Sequence, residues 1–144
     1  MFKKYALGLS AVATLLTACA SSPTFDVKTA NLASASTRNL CSAYGAHGGR
    51  LAEIKSELTK RNALTPEEWT QVENRIAAVG MSECALFAVY PEEKADDIES
   101  IKDAIGDQSA KDVTFLCEDA VVPFCPSTVF QIRKGRIKAI EMGR

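Results

Sequence analysis

The sequence of 144 residues lacks the features that mark several large classes of protein. Its 17 Lys and Arg residues nearly balance its 18 Asp and Glu residues, so we expect no nucleic-acid partner. No apolar run reaches the roughly 20 residues that a helix needs to cross a bilayer. With 47% hydrophobic and 24% charged residues, the composition is typical of one ordinary globular domain.

Signatures of catalysis and of metal binding are also scarce. The only histidine, His47, lies in the glycine-rich stretch 45–49, and no serine occupies a Gly-x-Ser-x-Gly turn. No two cysteines have the C-x-x-C spacing of zinc sites or redox pairs, and no phosphate-binding loop is present. The acidic residues of 92–99 are typical of a solvated face. We therefore expect no enzyme activity, no cofactor and no metal.

The N-terminus has the pattern of an export signal. Lys3 and Lys4 precede an apolar stretch from Tyr5 to Leu16, which is too short to span a membrane. The following tetrad, Leu16-Thr17-Ala18-Cys19, resembles the lipobox of bacterial lipoprotein signal peptides. The resemblance implies that residues 1–18 are removed and that Cys19 receives diacylglycerol. A plain secretory signal with a chance cysteine is the alternative.

The residues that follow Cys19 bear on location. In lipoproteins of enteric-type bacteria, an aspartate after the lipidated cysteine retains the protein in the inner membrane. This chain has Ala20 at that position, which implies that it is located in the cell outer membrane with its domain facing the periplasm. Two or more acyl chains anchor a protein stably to a membrane. Residues 19–37 are rich in Ala, Ser and Thr and predict a flexible tether. A single periplasmic domain is then expected over 38–144.

The remaining four cysteines are Cys41, Cys84, Cys117 and Cys125. An even number of cysteines in an exported chain predicts disulfides rather than free thiols. Of the three ways to pair them, we favour Cys41 with Cys84 and Cys117 with Cys125. The wide spacing disfavours a metal site or a redox pair.

Helical periods dominate the N-terminal half of the domain. The clearest helix start is at Thr65, where Pro66 and Glu68 complete a capping box. Ser82 caps a further helix that is apolar on every side and must end before Pro91. The predicted helices cover about residues 40–44, 49–61, 66–79 and 82–89.

The C-terminal third is typical of strands, over Val113–Cys117, Thr128–Arg133 and Arg136–Glu141. Lys134-Gly135 predicts a hairpin between the last two. Residues 92–105 have a helical period, which favours a helix, although an extended structure also fits. Together these elements predict an α+β fold, with N-terminal helices packed on one face of a small antiparallel three-stranded sheet.

Four basic residues gather at the predicted hairpin: Arg133, Lys134, Arg136 and Lys138. They predict a contact patch for anionic lipid headgroups or for an acidic partner. Protection of a sheet edge and hairpin tip from aggregation is the alternative role.

The stretch from Trp69 to Pro91 resembles the SmpA/OmlA type of small outer-membrane lipoprotein, in which Gly80-Met81-Ser82 matches a junction between two helices. Similar small bacterial lipoproteins carry a pattern like Glu-x-Leu-x-x-Arg before a Trp helix. Glu57 and Arg61 lie in that region of this chain, though not in perfect register. The resemblance implies a three-stranded sheet and extended chain before Val113. It also implies a non-catalytic role, as in the small subunit of the β-barrel assembly machinery.

Taken together, these features predict a lipid-anchored envelope lipoprotein that acts as a non-catalytic binding or assembly module. We expect it to bind another envelope protein. The alternative is a periplasmic domain that binds a ligand or the cell wall. Its site would lie between the sheet and the helix at 84–89, or at the basic hairpin tip.

Overall fold

The computed structural model describes residues 25–100, 110–116 and 127–142. Within these residues, four α-helices and one 3-10 turn accompany a four-stranded antiparallel sheet. The helices are α1 (Thr37–Gly45), α2 (Leu51–Lys60), α3 (Pro66–Glu73) and α4 (Glu83–Val89). The strands are β1 (Asp97–Ser100), β2 (Lys111–Phe115), β3 (Thr128–Arg133) and β4 (Arg136–Met142), which neighbour one another in chain order.

The predicted three-stranded sheet was wrong, because β1 adds a fourth strand. Ile98 in β1 lies opposite Val113 in β2, and four residue pairs join the two strands. The helical period of 92–105 therefore does not decide the structure of 97–100: pairing with the edge of β2 satisfies the backbone of both strands and outweighs a weak local preference. Residues 101–105 lie outside the described residues.

Helix α3 is shorter than the sequence predicts. It ends at Glu73 instead of Val79, and Arg75 then has a φ of 56°, in the left-handed region that interrupts a helix. Ile76 and Val79 are consequently 53% and 62% exposed, although their spacing predicts a buried helix face.

The Gly80-Met81-Ser82 junction joins the helices to the sheet edge. The backbone N–H of Gly80 donates to the carbonyl of Ile137 in β4 at 2.8 Å, and the N–H of Ile137 donates to the carbonyl of Met81 at 2.8 Å. Gly80 has a φ of 94°, which a residue without Cβ adopts at no steric cost. Ser82 caps α4, as predicted, by accepting from the N–H of Ala85. This pairing explains the early end of α3, because the chain must extend to reach β4.

The hydrophobic core lies between the helices and one face of the sheet, with α4 at its centre. Residues Ala85 to Val89 are all buried, which confirms the prediction that this almost wholly apolar helix is buried and not amphipathic. Gly45 lets α1 approach α4 closely, because a Cβ at this position would clash with the carbonyl oxygen of Phe87. The largest fully buried side chains are those of Phe87, Leu40, Ile54, Leu58, Leu86, Ile132 and Ile137.

A disulfide joins Cys41 in α1 to Cys84 in α4, which confirms the predicted pairing of these two residues. It closes a separation of 43 residues. Cys117, Cys125 and Cys19 lie outside the described residues, as does the predicted signal peptide.

An ion network holds the same two helices to the sheet. Arg38 in α1 donates to both carboxylate oxygens of Glu92, at 2.6 and 2.7 Å, and lies 3.3 Å from Glu83. Lys111 of β2 lies 2.8 Å from the same Glu83 oxygen. The hydrogen bond with Glu92 raises the pKa of Arg38 above its ordinary value.

Residues 25–36, which we call the clamped segment, fold against the domain instead of forming the coil that their composition predicts. Leu32 is buried at 7% exposure. Arg61 at the end of α2 donates to the carbonyls of Leu32, Ala33 and Ala35 at 2.8 to 3.0 Å, while its Nε donates to Glu57 at 2.8 Å. Arg50 also donates to the carbonyls of Val27 and Ala30, at 3.0 and 2.9 Å, and the side chains of Phe25 and Val27 pack against the core. Two arginines and several apolar side chains thus fix this segment.

Candidate functional site

An open cavity of about 520 Å³ lies where the C-terminal ends of α1 and α4 meet the sheet. We call it the Tyr90 groove and define it by Tyr90, Phe115, Leu116, Phe130, His47 and Arg75. Its position, between the sheet and the end of α4, is one of the two that the sequence predicts for a ligand site.

Three aromatic rings form the floor of the groove. Tyr90 lies 5.4 Å from Phe115 and 5.7 Å from Phe130 between ring centroids, and Phe115 lies 5.8 Å from Phe130 in an edge-to-face arrangement. Phe130 and the residue opposite Phe115 are two positions apart on β3, so both phenylalanines lie on the same face of the sheet. Pro91 keeps Tyr90 extended, which ends α4 and turns the tyrosine ring toward the sheet.

Part of this aromatic and aliphatic surface is open to solvent. Tyr90 is 40% exposed and Leu116 is 57% exposed, while Phe130 beneath them is buried. Contiguous exposed apolar surface in a concave site is typical of a ligand or partner site.

The rim of the groove carries two polar side chains from distant loops. Arg75 Nη1 lies 2.6 Å from His47 Nε2, and Arg75 Nη2 lies 3.5 Å from the carbonyl oxygen of Val89. A guanidinium always carries its protons, so Nε2 of His47 accepts and the imidazole proton is on Nδ1. Both residues have left-handed φ values, 52° for His47 and 56° for Arg75.

Arg75 is an exposed cation whose charge is not balanced locally. Among the side chains that the structure describes, no carboxylate lies within 4 Å of its guanidinium. The groove therefore combines an apolar floor with the charge of Arg75 at its rim.

Backbone donors around the groove are already used. The N–H of Tyr90 donates to the carbonyl of Leu86 at 2.8 Å, and that of Leu116 donates to the carboxylate of Asp96. The N–H of His47 donates to the carbonyl of Tyr44 at 3.2 Å. A bound molecule would thus be recognised mainly through side chains.

Two residues of the predicted basic patch make contacts within the domain. Arg133 donates to Asp112 at 3.0 Å, and Arg136 donates to the carbonyl of Gly80 at 2.8 Å. Lys134 lies in the hairpin turn with a φ of 52°, followed by Gly135 at 70°, which confirms the hairpin. Lys138 is exposed on β4. Arg133 thus joins β3 to β2, and Arg136 joins the edge strand β4 to Gly80.

The predicted Gly80-Met81-Ser82 motif also has structural contacts. The N–H of Ser82 donates to Glu68 Oε1 at 2.7 Å, while Glu68 Oε2 accepts from the N–H of Thr65 and completes the predicted capping box.

Sequence reasoning missed Arg75 and treated His47 as ordinary polar surface. The two residues are 28 positions apart, and no local pattern links them.

No group of three or more His, Cys, Asp or Glu residues among those that the structure describes could hold a metal ion. In the same part of the chain, no helix has the length and apolar character needed to span a bilayer. Comparison of the chain with family models, with curated proteins and with solved structures gives no match.

Proposed function

We propose that this chain is a lipid-anchored, non-catalytic binding module of the bacterial envelope, and that the Tyr90 groove is its recognition site. The observation that carries the proposal is the exposed aromatic floor beside the unbalanced charge of Arg75. A small domain gains nothing in stability from leaving Tyr90 and Leu116 in water, whereas a binding site requires such surface.

The proposal places the anchor at Cys19, in the outer membrane, with the domain facing the periplasm. It is supported by the lipobox-like tetrad and by Ala20 after the cysteine. Radiolabelled palmitate should enter the full chain expressed in an enteric-type bacterium and should not enter a Cys19→Ala variant. Equal labelling of both would contradict the anchor.

The likeness to the SmpA/OmlA type supports a role in assembly with an envelope protein. Strand β1 is extended before β2, as that resemblance implies, although the sheet has four strands. Under this proposal, the partner covers the Tyr90 groove, and Tyr90 and Leu116 become buried on binding.

Photocrosslinking in intact cells tests recognition through the groove. The full chain would carry p-benzoylphenylalanine in place of Leu116, and in a matched control in place of Lys60, an exposed residue at the end of α2. We expect a discrete adduct from position 116 that position 60 does not give. An absence of adducts at 116, or the same adducts from both positions, would contradict the proposal.

Binding of a ligand or of the cell wall is the second candidate, favoured by the shape of the groove. Its volume of about 520 Å³ falls within the range of roughly 300–1,000 Å³ that is typical of small-molecule sites. Lipid A or peptidoglycan fragments at saturation should then raise the melting temperature of the full chain. An unchanged melting temperature with both would remove these two ligands from consideration.

A further inference from the structure

We infer that the Tyr90 groove binds a small organic carboxylate, whose apolar body lies on the aromatic floor and whose anion contacts Arg75. The inference rests on the second candidate function, the binding of a ligand in the Tyr90 groove, and it assigns a chemical class to that ligand. It adds a charge requirement that this candidate leaves open.

The sign of the ligand's charge follows from the rim. Arg75 has no carboxylate partner among the described residues, and its recorded contacts are with the neutral His47 ring and with the carbonyl of Val89. A guanidinium retains donors on all three nitrogens, and its planar geometry suits two carboxylate oxygens. An anion at the rim would balance a charge that the fold leaves unbalanced.

The apolar part of the ligand follows from the floor. The rings of Tyr90, Phe115 and Phe130 pack against one another at centroid distances of 5.4 to 5.8 Å. The part of this aromatic surface that Tyr90 leaves exposed suits a ring or a short alkyl chain laid on it. The exposed side chain of Leu116 adds aliphatic contact. Burial of this surface supplies affinity for any ligand body, while Arg75 selects among head groups.

The use of the backbone donors favours a small molecule over a peptide strand. The N–H groups of Tyr90, Leu116 and His47 all donate within the chain. A peptide that binds as an added strand needs free main-chain partners, which these positions do not offer. A small carboxylate needs only the side chains.

His47 is a positioning residue in this account. Its Nε2 accepts from Arg75 Nη1 at 2.6 Å, which holds the guanidinium at the rim instead of letting it extend into solvent. A His47→Asn variant keeps a residue type that tolerates the left-handed backbone, with a side chain too short to make this contact. It should weaken carboxylate binding several-fold and leave binding of a neutral analogue unchanged.

Three probes with one apolar body test the inference: 4-phenylbutyrate, 4-phenylbutan-1-ol and 4-phenylbutylamine. Each is titrated calorimetrically into the full chain in phosphatidylcholine nanodiscs, with the heat of empty nanodiscs subtracted. We expect the carboxylate to bind about tenfold more tightly than the alcohol, since one charge-assisted hydrogen bond contributes about that factor. The amine should bind least tightly.

Three variants test whether Arg75 is responsible for the preference for the carboxylate over the alcohol. Arg75→Gln should bring the affinities of carboxylate and alcohol together, while Lys138→Gln, which removes an exposed cation from β4, should preserve the tenfold ratio. Tyr90→Ala should weaken all three probes. Equal affinity of the three probes for the native chain, or an unchanged ratio in Arg75→Gln, would overturn the charge assignment.

Two further outcomes would also overturn the inference. One is the absence of binding by any probe at millimolar concentration. The other is binding of an acetylated tripeptide that ends in Phe more than tenfold more tightly than 4-phenylbutyrate, which would assign the groove to a protein segment. In either case, a crosslink that persists from position 116 would leave the proposed function standing, whereas loss of the crosslink would remove both.

Discussion

Two arginines show how differently two regions of this small domain use the same side chain. Arg61 makes five hydrogen bonds: three to carbonyls of the clamped segment, one to Thr37 and one to Glu57. Arg75 contacts His47 closely and a carbonyl at 3.5 Å, and it faces an open groove. Arg61 therefore stabilises the fold, whereas Arg75 retains hydrogen-bond donors that a bound molecule could use.

The surroundings of the two arginines differ in the same way. Around Arg61, partners are carbonyl groups of a segment with one well-buried side chain, Leu32. Arg75 lines the same cavity as a group of aromatic rings, of which Tyr90 is 40% exposed. The polar groups around Arg61 are thus paired within the chain. In the Tyr90 groove, where we propose binding, apolar side chains remain exposed and the charge of Arg75 has no carboxylate partner among the described residues.

Removal of the disulfide should have the largest effect, because α1 directly follows the clamped segment and its C-terminal end lines the Tyr90 groove. A double variant, Cys41→Ala with Cys84→Ala, should lose about 4 kcal/mol of unfolding free energy, as the chain-entropy relation gives for a loop of this length. Urea denaturation of the full chain measures the loss. A change below about 1 kcal/mol would show that other contacts suffice to hold α1 to α4.

Arg61→Met should lower the unfolding free energy by about 2–3 kcal/mol. The substitution keeps an apolar stem of similar length but removes the donor to Glu57 and to three carbonyls of the clamped segment. Limited proteolysis should then cut within 25–36 more rapidly than in the native chain. Unchanged stability together with unchanged proteolysis would mean that Arg50 and the apolar side chains of the segment suffice to fix it.

Gly45→Ala should cost roughly 1–3 kcal/mol, because the added Cβ forces α1 away from the carbonyl of Phe87. Since Gly45 also lines the groove, the same variant should alter the affinity for 4-phenylbutyrate. Thermal denaturation and calorimetry measure the two effects. Native stability in this variant would contradict the close approach of the helices.

Arg75→Met should change the unfolding free energy by no more than about 0.5 kcal/mol, the range that is usual for exposed positions. The same substitution is thus expected to matter at Arg61 and not at Arg75, and each variant is the matched control for the other. A loss above about 1.5 kcal/mol would mean that the contact of Arg75 with His47 fastens the fold.

Features that depend on neighbouring residues could be predicted from the sequence. The capping box at Thr65, the start of α4 at Ser82 and the hairpin at Lys134-Gly135 are local patterns, and the structure contains all three. The pairing of Cys41 with Cys84 needed only the assumption that the N-terminal helix meets the buried one.

Features that depend on distant partners could not be predicted. Strand β1 exists because β2 offers an edge, and α3 stops early because Gly80 and Met81 pair with Ile137. The rim of the Tyr90 groove joins residues 28 positions apart. The groove lies at one of the two positions that the sequence predicts for a ligand site, and its binding of a ligand stays a prediction. No sequence pattern predicted which side chains meet there.

The central claim is that the Tyr90 groove is open to a ligand, whereas the clamped segment is closed. It is tested most directly by mapping the NMR chemical shifts of the isotope-labelled full chain as 4-phenylbutyrate is added. The account predicts that the largest amide shifts fall on Tyr90, Leu116 and their neighbours, with signals of the clamped segment unmoved. Shifts centred on residues 31–35, or no saturable shifts at any position, would contradict it.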